Sequence, residues 1–185
     1  IVDSLWLKKE DAEPRDYAEF CGAVRRETGV SLNVEGRYRW IVFLPSKTHA
    51  GVPVLNRYYG VFDSEKIKVR GIEIRRSDTP KFVHDAQVDM IRVLAKAHSA
   101  KEFVERIPEA LDVLKEYAGR LVEGKVPAED LLIAKRLSLH PSKYAHDVLQ
   151  AIAAKQLVKE GVEISAGQTV QYLICLLYTS DAADE

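Results

Sequence analysis

Cysteine is nearly absent from this chain, which has only Cys21 and Cys175. Two thiols cannot build the disulfide framework of a small secreted fold, so a reducing, cytoplasmic setting is expected. No apolar run approaches the roughly 18 residues that a membrane span requires, and no charged-then-apolar leader opens the chain. Glycine-rich phosphate loops are missing as well; Gly51 and Gly60 stand alone. The five histidines (His49, His84, His98, His140 and His146) follow no metal-ligand spacing. Cys21 falls on the apolar side of an expected helix, a position suited to a core rather than to nucleophilic chemistry. An excess of one charge is lacking too, because 27 basic residues face 28 acidic ones. Any nucleic-acid surface must therefore be local.

What is present is the composition of a folded protein. Hydrophobic residues make up 46% and charged residues 30% of 185 positions, enough for one large core or two small ones. Residues 175–185, CLLYTSDAADE, resemble the translated read-through of a transposase-type sequencing adapter and are expected to be a non-native tail. Removing their three acids, Asp181, Asp184 and Glu185, turns the charge balance slightly positive. Ile1 stands where an initiator Met would, within an expected strand.

The richest segment is NRYYGVFDSEKIKVRGIEIRR, Asn56 to Arg76. Its apolar runs Tyr58–Phe62 and Ile67–Ile74 flank the polar turn Asp63-Ser64-Glu65, which predicts a β-hairpin. Arg57, Lys66, Lys68, Arg70, Arg75 and Arg76 surround it, with Tyr58 and Tyr59 among them. Cations and aromatic rings on a rigid ribbon suit a polyanionic backbone. An edge hairpin charged against aggregation has the same composition, so both readings stay open.

Around that ribbon, a strand is expected over Ile1–Leu7, a helix over Asp11–Arg26 and a strand within Leu32–Leu44. A boundary falls near Ser77–Pro80, where Thr79-Pro80 reads as a cap and first helical residue. Ser99 and Glu102 match a capping box ahead of a long apolar stripe, kinked at Pro108 and closed by Gly124. A further helix is expected from Ser142 to Glu160, with strand-like pieces at Leu131–Ser138, Val162–Ile164 and Thr169–Ile174. The fold class is α+β: an antiparallel sheet segment with a helix, then a mostly helical half with short terminal strands.

Asp3 is an acid in an apolar strand, costly to bury without a partner. A divalent cation is one partner, and Glu35 on the next expected strand could share it. Equally, Asp3 could lie hydrated at a strand end, and Glu35 could pair with Arg37 or Arg39.

Taken in order, the runs IVDSLW, LNVEGRYRW, NRYYG, KVRGIEIRRSDTP, VPAEDLLI and KEGVEISAGQTVQYLI resemble the C-terminal part of archaeal family B DNA polymerases. The resemblance implies the end of the palm over residues 1–78 and the thumb over 79–174. It matches Asp3 to the second carboxylate of the Asp-Thr-Asp-Ser motif that binds catalytic Mg²⁺, with Ile1 at the first carboxylate position. Two Mg²⁺ ions would serve the complete enzyme, with Glu35 at a further acidic position near them. Arg57 and Tyr59 fit a Lys-x-Tyr pattern that grips primer–template DNA, with Arg in place of Lys. Arg70 and Arg76 fit the palm-to-thumb signature, in which Ser77 replaces a second Arg. Ser138, Tyr144 and Lys155 align with duplex-facing thumb positions, while Leu149-Gln150 departs from a common Pro-His pair.

The implied activity is deoxynucleotidyl transfer from a deoxynucleoside triphosphate to a primer 3′-hydroxyl. The upstream palm, fingers and exonuclease are absent from this sequence, so the chain is expected to be inactive alone. An alternative is the small, non-catalytic DNA-binding subunit of a split family B polymerase. A metal nuclease using Asp3 and Glu35 is a third reading, lacking a further ligand or base.

Overall fold

A computed structural model describes residues 4–46, 48–49 and 51–174. By backbone contacts the chain divides into two units, residues 1–37 and 38–185. The second unit thus runs across the sequence boundary at Ser77–Pro80.

The first unit holds helix α1, Pro14–Thr28. Pro14 occupies its first turn, where a missing N–H costs nothing. The Glu13 N–H donates to the Asp16 carboxylate at 2.8 Å, and Gly29 closes the helix at φ 74°. The helix starts and ends slightly later than the expected Asp11–Arg26. No residue of α1 is fully buried, and Cys21 is half-buried rather than a core residue. No second regular element lies among this unit's described residues to cover it.

The expected strand over Ile1–Leu7 is not found where it can be tested. Residues 1–3, Asp3 included, lie outside the described residues, and Ser4–Leu7 form no strand. Residues 31–37 are irregular as well, so Glu35 does not sit on a strand. Asn33 and Gly36, both poor strand formers, interrupt the β-branched pattern there.

The second unit begins with the antiparallel sheet β1 (Tyr38–Pro45), β2 (Pro53–Phe62) and β3 (Ile67–Arg70), in that spatial order. Trp40 pairs with Val61 and Val42 with Tyr59, while Tyr59 in turn pairs with Val69 and Val61 with Ile67. Alternation puts Trp40, Val42, Tyr59, Val61 and Ile67 on one face. That face packs against Met90, Val93 and Leu94 of α2 (Lys81–Ala95), Phe103 of α3 (Ala100–Glu105) and Ala110 of α4 (Ile107–Val122). Inside this core the Trp40 indole N–H donates to the Ala97 carbonyl at 3.1 Å. Each fully buried aliphatic side chain here contributes roughly 1.5–3 kcal/mol.

The hairpin turn falls at the expected residues, but β3 is shorter than the expected Ile67–Ile74. It stops at Arg70 because Gly71 turns the chain at φ +64°, and Glu73–Arg75 form a 3-10 turn. Ser99 accepts from the Glu102 N–H at 3.2 Å, and the Glu102 carboxylate accepts from the His98 N–H at 3.0 Å. Half of the expected capping box is thus present: Ser99 caps the Glu102 N–H, but the Glu102 carboxylate bonds the N–H of His98, one residue before the N-cap. The stripe behind it splits into α3 and α4 at Arg106, immediately before Ile107-Pro108.

Beyond α4, β4 (Ile133–Arg136) pairs antiparallel with β5 (Thr169–Tyr172), and α5 (Leu149–Lys159) packs on the ribbon. Leu137, Ala154, Ile164 and Val170 form this smaller core, with Tyr144 and Leu157 against it. The helix expected from Ser142 begins only at Leu149. Pro141–Lys143 instead form a 3-10 turn, and Tyr144 reaches back to the end of β4. Val162–Ile164 is not a strand. The architecture is α+β with antiparallel sheets, as expected.

Candidate nucleic-acid interface

The hairpin β2–β3 carries most of the cations singled out from the sequence. Tyr58 pairs with Arg70 and Gly60 with Lys68, so Lys68 and Arg70 share the face of Tyr58 and Phe62. Arg57 and Tyr59 lie on the opposite face; Tyr59 joins the core against the helices there, whereas Arg57 stands beyond the last β2–β3 pair, outside that core. The structure therefore divides Arg57 and Tyr59 from Arg70 across the ribbon.

The two tyrosines are packed rather than displayed. Tyr58 is 2% exposed, with its ring 5.6 Å from that of Phe43. Tyr59 meets Trp40 edge-on at 6.0 Å, and burial pushes its phenol pKa up. Arg57 is half-buried at the outer end of the ladder. Its Nε donates to the Gly71 carbonyl at 3.3 Å. No carboxylate among the described residues forms an ion pair with it.

Arg76 is engaged differently. Its Nε and Nη2 reach the two carboxylate oxygens of Asp78, each at 2.9 Å, and its Nε lies 3.3 Å from Glu73. Lys135 of β4 also donates to Asp78. The Arg76 guanidinium and then Lys135 hold the Asp78 carboxyl well below the usual carboxylate range. Together, Glu73, Arg76, Asp78 and Lys135 line part of a depression of about 330 Å³. Lys135 was not singled out from the sequence. It is 57 residues from Asp78, and no local pattern announces such a pairing.

In the second ribbon, the Tyr144 hydroxyl accepts from the Ser138 N–H at 2.9 Å and lies 3.2 Å from the Ser138 hydroxyl. These bonds, the Ser138 side chain first, draw the phenol pKa down. Ser138 and Tyr144 are therefore brought together. Lys155, on α5, pairs with Asp147 at 2.9 Å. Arg136, also unmarked by the sequence, donates its Nε to the Gly167 carbonyl at 2.8 Å.

The acids do not assemble a metal centre in the described residues. Asp3 lies outside them, and Glu35 is exposed on an irregular segment. Arg39, one of its expected partners, instead approaches Glu65 at 3.7 Å. Among the described residues, no three His, Cys, Asp or Glu side chains converge as ligands. The residues described do not fit a two-Mg²⁺ site by themselves.

Residues 17–185 match the sequence profile described as DNA polymerase family B. The chain belongs to that family. The match takes in residues 175–185, the segment that resembles an adapter read-through. A DNA polymerase of Archaeoglobus fulgidus is 27% identical over 174 residues, 94% of this chain and 20% of the relative. DNA polymerase 2 of Aeropyrum pernix is 26% identical over 173 residues, covering 94% of this chain and 19% of its own length. The family B polymerase structure from Pyrobaculum calidifontis superposes with a TM-score of 0.60 at 23% identity. That superposition covers 88% of this chain and 19% of the solved one. This polymerase-family chain thus spans about a fifth of the length of the relatives it matches. None of its described helices is long and apolar enough to cross a membrane.

Proposed function

We propose that this chain is the palm-end and thumb segment of a DNA-directed DNA polymerase, with the palm over residues 1–78 and the thumb over 79–174. The family match over residues 17–185 supports the polymerase part of this reading; the palm and thumb bounds rest on the ordered sequence runs. In the complete enzyme, a primer 3′-hydroxyl would attack the α-phosphate of a deoxynucleoside triphosphate, releasing pyrophosphate. Asp3 and Glu35 would contribute to the Mg²⁺ site, completed by ligands from polymerase sequence outside this chain.

The role assigned to this segment itself is to hold primer–template duplex. Arg57, Arg70 and Arg76 are assigned to the palm side of the grip, from the two faces of the ribbon and the turn after it. Tyr59, packed on Trp40, supports the ribbon rather than meeting DNA. Ser138, Tyr144 and Lys155 are assigned to the thumb side. Cations on a rigid ribbon hold phosphates with little choice of sequence. Arg57 supports the reading most directly, since no carboxylate among the described residues neutralises it. Ser138 and Tyr144 support the thumb assignment less directly, by presenting hydroxyls at one end of β4. The setting is cytoplasmic, with the nucleoid DNA.

Complementation tests this function. The chain alone should extend no primer, because one carboxylate-bearing segment cannot hold both metals. Mixed with an N-terminal family B piece carrying the exonuclease, upstream palm and fingers, it should restore extension that Asp3→Asn abolishes. Extension by the isolated chain, or restoration indifferent to Asp3, would overturn the assignment.

A further inference from the structure

Gly71 ends β3 at φ +64°, a conformation that side chains other than Asn and Asp rarely adopt. Conformation is only half of its constraint. A Cβ there would collide with the Asn56 carbonyl oxygen and lie 2.9 Å from Arg57 Cγ and 3.2 Å from Arg57 Cα. The backbone of β2 at Asn56-Arg57 thus approaches Gly71 as closely as a missing side chain allows. At the same place the Gly71 carbonyl accepts the Arg57 Nε–H at 3.3 Å.

We propose that Gly71 is a positioning residue for the duplex grip, fixing the Arg57 guanidinium so that its Nη groups are left for phosphodiester oxygens. The inference rests on the duplex-binding role proposed above and adds how one contact is built. An arginine suits this arrangement because its fork can dock one N–H on a carbonyl and offer the others outward. A lysine carries its three N–H donors on one nitrogen, so docking on the carbonyl draws the whole ammonium there and leaves no separate edge directed at the phosphate. Arg76 provides the contrast within the same molecule, because Asp78 and Glu73 take up its guanidinium. Arg57 instead has a neutral carbonyl as its anchor, so its charge is oriented without being cancelled.

The test measures affinity of the 185-residue chain for a fluorescent primer–template duplex across a salt series, with thermal melting as the control for folding. Arg57→Ala should weaken binding about tenfold and reduce the salt slope by roughly 0.9, one phosphate's worth. Gly71→Asn tolerates the left-handed backbone but brings the colliding Cβ, and should lose as much affinity as Arg57→Ala. Introduced into the Arg57→Ala background, it should cost nothing further. Arg57→Lys keeps the charge and should still bind several-fold more weakly than the parent chain.

Full affinity in a folded Gly71→Asn chain would overturn the proposal, as would an undiminished penalty in the Arg57→Ala background. Should the glycine variants fail to fold, Arg57→Lys decides, and parental affinity there counts against positioning. Failure of the unsubstituted chain to bind the duplex overturns the broader duplex-binding role instead. The two failures are therefore distinguishable.

Discussion

Asp78 receives the Arg76 guanidinium as a two-pronged fork, Nε on one oxygen and Nη2 on the other, each at 2.9 Å. Lys135 closes on the same carboxylate from β4. One acid therefore joins the connection after β3 to the distant β4–β5 ribbon. The Asp78 side chain is only 15% exposed, so its bonds are partly shielded from competing water.

Removing that carboxylate should loosen the attachment. Asp78→Asn leaves two cations facing a neutral amide and is expected to destabilise the chain by about 1–3 kcal/mol. Urea denaturation measures this directly. Lys135→Met should cost less, because the Arg76 fork remains.

The same group sets an acid limit on stability. Its folded pKa lies below the unfolded value, so its stabilisation is complete above the ordinary aspartate range, near 4. That stabilisation is lost as pH falls from there toward the depressed folded value. The melting-temperature gap between the parent chain and Asp78→Asn should be constant from about pH 7 to 5 and narrow at lower pH. A gap that widens on acidification would contradict the assigned sign.

Trp40 supports the sheet-to-helix core through packing and one buried hydrogen bond. Trp40→Phe keeps much of the tilted ring contact with Phe103, 4.9 Å away, but strands the Ala97 carbonyl. A loss of about 1–3 kcal/mol is expected in urea denaturation. Phe103→Leu should add to it less than independently, since both side chains share one cluster.

Arg57 and Arg76 should behave oppositely despite carrying the same charge. Arg57→Ala is expected to lower duplex affinity with little change in melting temperature. Arg76→Ala should lower the melting temperature more and affinity less, because its guanidinium is committed to Asp78 and Glu73. Parallel anisotropy and melting measurements separate the two.

Local signals in the chain are readable at several points where one residue type dictates the backbone, but not at Thr79-Pro80, where Pro80 itself is the N-cap of α2 and the Thr79 hydroxyl donates to the Glu73 carbonyl. The Asp63–Glu65 turn, the Ser99–Glu102 cap and the break at Ile107-Pro108 all follow from side-chain chemistry acting over three or four positions. Elements were overextended where apolar periodicity ran past a local stop. Ile72 and Ile74 continue the β3 pattern, yet Gly71 has already turned the chain. Ser142–Val148 likewise preserves a helical look, but the bond of Tyr144 to Ser138 favours a compact turn. Pairings across long intervals, such as Asp78 with Lys135, leave no periodic trace at all. Nor did the sequence indicate that Tyr58 and Tyr59, apt stacking platforms by composition, are packed within the fold. Alternation alone cannot say which face of a ribbon the helices will cover.

The most direct test of the account is duplex affinity of this chain as a function of salt, read by fluorescence anisotropy with an unlabelled duplex as competitor. Binding to primer–template is expected with log K falling linearly against log salt, the slope reporting several neutralised phosphates. Affinity that ignores salt, or no measurable binding by the folded chain at low salt, would contradict it.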